Sequence, residues 1–300
     1  MKINILLLIP FVIFVLFDDS IAQELEPRAY SNLPVNANFA GLNYTFTTGN
    51  IITDPTSPLK NLEVNTNNII SGYTRSFSLF GRLGRIQVLL PYTFLSGTAK
   101  FNGVDTSGTR SGLSDARFRI GINILGSPAM TLKEFVKYKE EFVFGASIVV
   151  SVPTGQYFPE KLINLGTNRW GIKPELGISR KFDHLYVELF TGFWFFTSNN
   201  EYFGSKKLKI GPIFAVQTHL NYVFDNKMWV GINGAYSYGG QAEIDGVKSG
   251  EKQDNYRIGL TYSTPLSSHF SVKLQYHTGA IVTGGSDFDF YGTTLQYSWF

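Results

Sequence analysis

Cysteine is absent from all 300 residues, which excludes disulfides, thiolate metal sites and a lipid-modified N-terminal cysteine. Charge is scarce too: Asp, Glu, Lys and Arg make up 16% of the chain, with a net charge of +3. So mild a balance, with the basic residues scattered, does not suit a nucleic-acid binder. No stretch beyond residue 22 is apolar enough to span a bilayer as a helix, so any crossing must be made by strands. Aromatic residues, by contrast, reach 15%, and mean hydropathy is close to zero. That average results when lipid-facing and water-facing side chains alternate along strands.

Residues 1–22 read as a cleaved secretory signal. Lys2 supplies a positive start, Ile3 to Phe17 a mostly apolar core and Ser20-Ile21-Ala22 a small-x-small cleavage site. The alternative, an anchoring first helix, is disfavoured because the apolar core falls short of the ~20 residues needed and stops at Asp18-Asp19. Residues 23–300 are then expected to form one domain.

Within that domain the period is two. From Asp115 to Ile124, Ala116, Phe118, Ile120, Ile122 and Ile124 share one face of a strand, and Asp115, Arg117, Arg119, Gly121 and Asn123 share the other. Twelve such segments follow one another, at about 37–48, 64–77, 83–98, 113–125, 140–153, 167–181, 184–197, 207–224, 227–240, 252–264, 269–283 and 286–299. Each meets the ~9–11 residues of a tilted membrane strand. Short, turn-like links alternate with long ones rich in Gly, Asn, Pro and Ser, as the two ends of an up-and-down barrel require. Two links break the rule: Gly126 to Lys139 is long on the short side, with a brief helix expected within Met130 to Tyr138, and Gly284-Gly285 is short on the long side. The expected fold is therefore all-β, a transmembrane antiparallel up-and-down barrel of about twelve strands.

Period two also sorts the side chains. Ile86, Val88, Leu90, Tyr92 and Phe94 point to lipid, whereas Arg117, Arg119, Arg169, Lys173, Glu175 and Glu188 point to the lumen, where they are candidates for a constriction. The competing reading makes these charges buried pairs that hold the strands in register. Tyr186, Phe190, Trp194 and Phe196 also fall on the lumen face, as an apolar track for a hydrophobic solute, unless a one-residue bulge returns them to lipid. The loops Pro153 to Asn168 and Asn102 to Gly112 are expected to fold over or into the mouth. No plug is expected before the first strand.

Other constellations are weaker. His269 and Ser271 share a face as a base and nucleophile would, but no Asn-Gly pair follows the serine, and surface polar residues account for them. Asp287 and Asp289, with His277 on the preceding strand, would make a poor cation cage. No catalytic residue, metal site or cofactor is expected.

The chain ends on Tyr297-Ser298-Trp299-Phe300, and a terminal Phe closing a strand resembles the signal read by the barrel-assembly machinery of Gram-negative bacteria. Its other aromatics sit on the opposite face from Phe300. Several motifs resemble the outer-membrane family of meta-pathway phenol-degradation proteins, often given simply as transporters. They are Glu26 to Val35, Gly112-Leu113-Ser114-Asp115, Val152 to Tyr157 running on to Asn164 to Trp170, His219 to Tyr222, Gly239-Gly240 with Asp245-Gly246, and His269. The resemblance implies an outer-membrane barrel that helps small, poorly soluble molecules across, without naming a substrate or catalytic residues. The reading is a passive channel for small hydrophobic or aromatic molecules, surrounded by outer-membrane lipid. A structural or adhesive barrel with a blocked lumen is one alternative, and an outer-membrane lipid-modifying enzyme a second.

Overall fold

A computed structural model describes residues 25–50, 59–249, 252–284 and 286–300, so the expected signal and Gly285 lie outside the described residues. The strands are β1 (Asn38–Asn50), β2 (Leu59–Leu79), β3 (Arg82–Phe101), β4 (Val104–Leu113), β5 (Ala116–Leu125), β6 (Phe142–Val152), β7 (Gly171–Phe182), β8 (Leu185–Phe196), β9 (Asn199–Tyr202), β10 (Lys206–Ile210), β11 (Ile213–Val223), β12 (Trp229–Gly239), β13 (Ala242–Ile244), β14 (Val247–Ser249), β15 (Gln253–Pro265), β16 (Phe270–Thr283) and β17 (Asp287–Trp299). β1 pairs with β17 from Asn38↔Trp299 to Asn50↔Asp287, and β2 pairs with both β1 and β3. The sheet meets itself, so the wall of the barrel is closed.

Twelve staves form the wall, because β4 and β5 are one stave. β3 pairs with β4 at its upper end and with β5 at its lower end, and the stave breaks only at Ser114-Asp115. Above the rim, β9, β10, β13 and β14 make a separate four-stranded sheet. Lys207 and Lys209, on β10, stand exposed there. Lys209 Nζ binds Glu243 at 2.7 Å, and this bond holds the Glu243 carboxyl below its usual range.

The two expected loops differ. The stretch expected as a loop from Asn102 to Gly112 is instead the crown of a hairpin, turned by Asn102 and Gly103 at φ 50° and 84°. Asn-Gly favours left-handed backbone at both centres, which matches the strand twist, so the ladder continues above the rim. On the opposite end, Gly126 to Lys139 carries the expected helix as α1 (Leu132–Phe135), closed by a capping box between Thr131 and Glu134. The Thr131 N–H and hydroxyl keep the Glu134 carboxyl below its ordinary value.

Burial follows the alternation. Ile86, Ile120 and Ile148 sit side by side in register on β3, β5 and β6 and are 40%, 51% and 47% exposed, while Arg119, Asn123 and Ser147 on the same strands are buried. Among the described residues the buried apolar side chains form three small clusters within a largely polar interior. The fold is a transmembrane antiparallel barrel. An Ile120→Lys variant is expected to lose about 2–4 kcal/mol of folding free energy in lipid vesicles if its site lies near the midplane. Urea titration checks this, and a loss below about 1 kcal/mol would mean that Ile120 does not face the middle of the hydrocarbon layer.

Candidate functional site

Residues 25–36 lack any period of two and carry Pro27 and Pro34, with Arg28 and Asn36 at positive φ. Such a segment cannot join the ladder. It turns at the start of β1, pinned by Ser76 Oγ donating to the Pro34 carbonyl at 2.6 Å and by Val35 N donating to the Met130 carbonyl at 2.7 Å, and it runs up inside the barrel. The expectation that nothing plugs the lumen ahead of the first strand is therefore corrected. Backbone groups taken out of water need partners, and the polar lumen face supplies them. Arg85 donates to the carbonyls of Ala29 and Ser31, Asn123 Nδ2 to that of Tyr30 and Gln275 Nε2 to that of Leu25. Gln217 Oε1 accepts from Glu26 N, and Glu188 Oε2 from Arg28 N at 2.8 Å.

Tyr30 is the anchor, 2% exposed. Its ring lies over Gly145 and Gly177, register partners on β6 and β7. A β-carbon at either glycine would collide with carbons of the ring, so the two glycines form a notch that a side chain would fill. Val143 and Phe190 hold the ring from other sides. The hydroxyl lies 2.9 Å from Ser147 Oγ and 3.2 Å from Glu175 Oε1.

Four charges interlock beside it. Arg119 binds Glu26 and, at 2.5 Å, Glu175, whose second oxygen meets Lys173 Nζ at 2.7 Å. Of the six residues expected at a constriction, Arg117 and Arg119 line the remaining cavity. Lys173, Glu175 and Glu188 are buried against the segment's side of the wall, and Arg169 rests its guanidinium 5.1 Å from the Phe196 ring. Tyr186, Phe190, Trp194 and Phe196 face inward, with no bulge along β8 to return them to lipid. They are covered by Arg28, Tyr30, Lys173 and Arg169 respectively, and none of them lines the cavity.

The mouth is narrowed by residues 153–168. Ile163 packs on Leu62, Val64 and Ala99 of the β2–β3 hairpin. Asp115, at the break between β4 and β5, is the staple: Oδ1 accepts from Gly155 N, and Oδ2 from Thr167 N and Thr167 Oγ1, all within 2.9 Å. Farther along, Tyr157 donates to the Glu201 carbonyl at 3.0 Å, and burial raises its phenol above the usual value. An Asp115→Ala variant is expected to free this loop, so that trypsin cuts after the exposed Lys161 several times faster in the folded barrel. An unchanged rate would show that the remaining contacts suffice.

Between segment and loop a cavity of about 430 Å³ remains, off centre, against β1–β3, β5 and β16–β17. Its floor includes Leu25 to Ala29, and its roof includes Asn164, Leu165 and Thr167.

The other candidates do not assemble. His269 Nδ1 is 2.9 Å from the Ser298 carbonyl rather than paired with Ser271. His277 faces inward and stacks on Phe290 at 4.0 Å, whereas Asp289 meets the Tyr276 hydroxyl. Among the described residues no three metal-ligating side chains converge.

The family model described as "Putative MetA-pathway of phenol degradation" matches residues 44–287. No curated protein matches the sequence. Among solved structures, the chain is similar to the COG4313 outer membrane channel from Pseudomonas putida F1, at 18% identity and a TM-score of 0.78 over 92% of this chain and 100% of that one. It is less similar to the beta domain of the Bordetella autotransporter BrkA, at 11% identity and 0.49 over 88% and 100%. The KdgM porin gives 9% and 0.47 over 88% and 99%.

Proposed function

Because the chain belongs to the family described as "Putative MetA-pathway of phenol degradation", we propose that it resides in the outer membrane of a Gram-negative bacterium and passes small hydrophobic or aromatic molecules by passive diffusion. The short-turn end then faces the periplasm and the crowned end the outside. The observation that carries this reading is the off-centre cavity: the inner segment is bonded mainly to one half of the wall and leaves the other half as a route. The narrowing is set by residues 25–34 from below and by residues 153–168 from above, in place of loops alone. A shift of the inner segment would widen this route and uncover the ring column from Tyr186 to Phe196.

The test is flux through the purified chain. In planar bilayers it is expected to give small, discrete current steps, and a deletion strain is expected to take up aromatic growth substrates more slowly than its parent. A silent bilayer and unchanged uptake would favour the alternative of a blocked structural barrel, which the filled half of the lumen supports.

A further inference from the structure

Resting on the reading of the lumen as a solute passage, we propose that the notch holding Tyr30 is a binding site for a para-substituted phenol. The chain's own tyrosine occupies it at rest, and a solute of that class takes it over. A tyrosine side chain is itself a phenol with its substituent para to the hydroxyl, so the groups that hold Tyr30 describe the ligand that the wall fits. The ring spans two glycines that are register partners on β6 and β7: a β-carbon at Gly145 would meet its Cδ1 and Cε1 edge, and one at Gly177 its Cδ2 and Cε2 edge. Phe190 meets the ring edge to face at 5.0 Å and 62°, Val143 closes a further side, and the Arg119 guanidinium lies 5.1 Å from the ring centre. Aromatic rings attract both the edge of another ring and a cation.

The far end of the notch recognises the hydroxyl. Tyr30 Oη lies 2.9 Å from Ser147 Oγ and 3.2 Å from Glu175 Oε1, so a phenol there donates its proton to the carboxylate and accepts one from the serine. Glu175 is held as an acceptor by Arg119 on one oxygen and Lys173 on the other. Both Ser147 and Glu175 are buried, and a ring without the hydroxyl would forgo these hydrogen bonds. All of these groups stand on β5 to β8. None belongs to the inner segment, so the notch persists when residues 25–34 move out. Tyr30 and a phenol exclude each other from it, and a bound phenol therefore shifts the chain toward the state with the segment displaced. The contacts that retain the plug thus double as recognition of the solute that releases it.

The test uses p-cresol, the tyrosine side chain freed from its backbone, and toluene, the same molecule without the hydroxyl. By calorimetric titration in detergent, a Tyr30→Gly variant is expected to bind p-cresol at least about tenfold more tightly than toluene, the scale of one hydrogen bond to a charged acceptor. Adding Gly177→Val fills the vacated notch and is expected to abolish that binding. In the unaltered chain, p-cresol is expected to speed trypsin cleavage after Arg28 severalfold, because that bond is reached once the segment leaves the lumen, and to raise single-channel current alongside. Toluene at the same concentration should do neither. No p-cresol binding by Tyr30→Gly, equal binding of toluene, binding kept by the double variant, or cleavage that p-cresol leaves unmoved or that toluene speeds equally would each overturn the proposal. Cleavage that rises with p-cresol while every form stays silent in the bilayer would uphold the site and reject the passage.

Discussion

A Gly177→Val variant is expected to conduct several times more current than the unaltered chain. The Tyr30 ring occupies the space above Gly177 and its partner Gly145, and two methyl groups at that point would evict it. The ring has nowhere nearby to go, because Val143 and Phe190 close its other sides. Eviction forfeits roughly 2–3 kcal/mol of burial, together with the contacts of the hydroxyl to Ser147 and Glu175. These are the interactions that pay for holding an irregular segment inside the lumen. The wall is independent of them: its closure rests on the β1–β17 ladder, so the barrel should still fold and migrate as a compact, heat-modifiable species. Tyr30→Ala reaches the same state from the other side and should raise single-channel conductance in the same direction. If both variants conducted like the unaltered chain, residues 25–34 would not limit passage.

An Arg119→Met variant is expected to lower stability by about 3–5 kcal/mol, the cost of breaking a buried ion pair while its partners stay in place. Arg119 is 6% exposed and links Glu26 to Glu175, which is 3% exposed. Without it, Glu175 keeps Lys173 and the Tyr30 hydroxyl, and Glu26 loses the ion pair it makes among the described residues. The segment should then loosen, so conductance should rise along with the fall in the urea midpoint. Adding Glu26→Gln removes one stranded charge and should recover part of the loss, which a double-mutant cycle measures directly. A single-variant cost under about 1 kcal/mol would mean that solvent reaches this cluster and screens it.

These two expectations concern residues that are legible in the sequence to different degrees. Arg119 stands in the clearest alternating run of the chain, and its lumen orientation follows from period two alone. So do the lipid row through Ile120 and the inward rings of Tyr186 and Phe190, because a side chain's face depends only on parity once its strand exists. Tyr30 carries no such mark. It stands among Pro27, Arg28 and Pro34 in a stretch without periodicity, which reads equally well as a frayed lead-in. The glycines at 145 and 177 were visible on the inward face of two strands, and small residues facing inward at one level hint that something packs there. What packs there was not visible, because the pairing Gly145↔Gly177 depends on strand register. The hairpin crown at Asn102-Gly103 could have been read locally, since that dipeptide is a turn signal in its own right. The Ser and Thr around it obscured the continuing strands.

Composition and alternation determined by themselves that the protein is a closed tube with an apolar outside and a charged inside, because each strand's sidedness is a local property repeated twelve times. The alternation of short and long links around the wall followed as well, from Gly, Asn and Pro. Only the tertiary structure decided what the tube contains. The inner segment is held by Arg85, Asn123, Glu188, Gln217 and Gln275, drawn from strands far apart in the chain and brought to one level by the closure of the sheet. Those contacts come from the geometry of the ring as a whole, so no local pattern encodes which half of the lumen is filled and which half remains open.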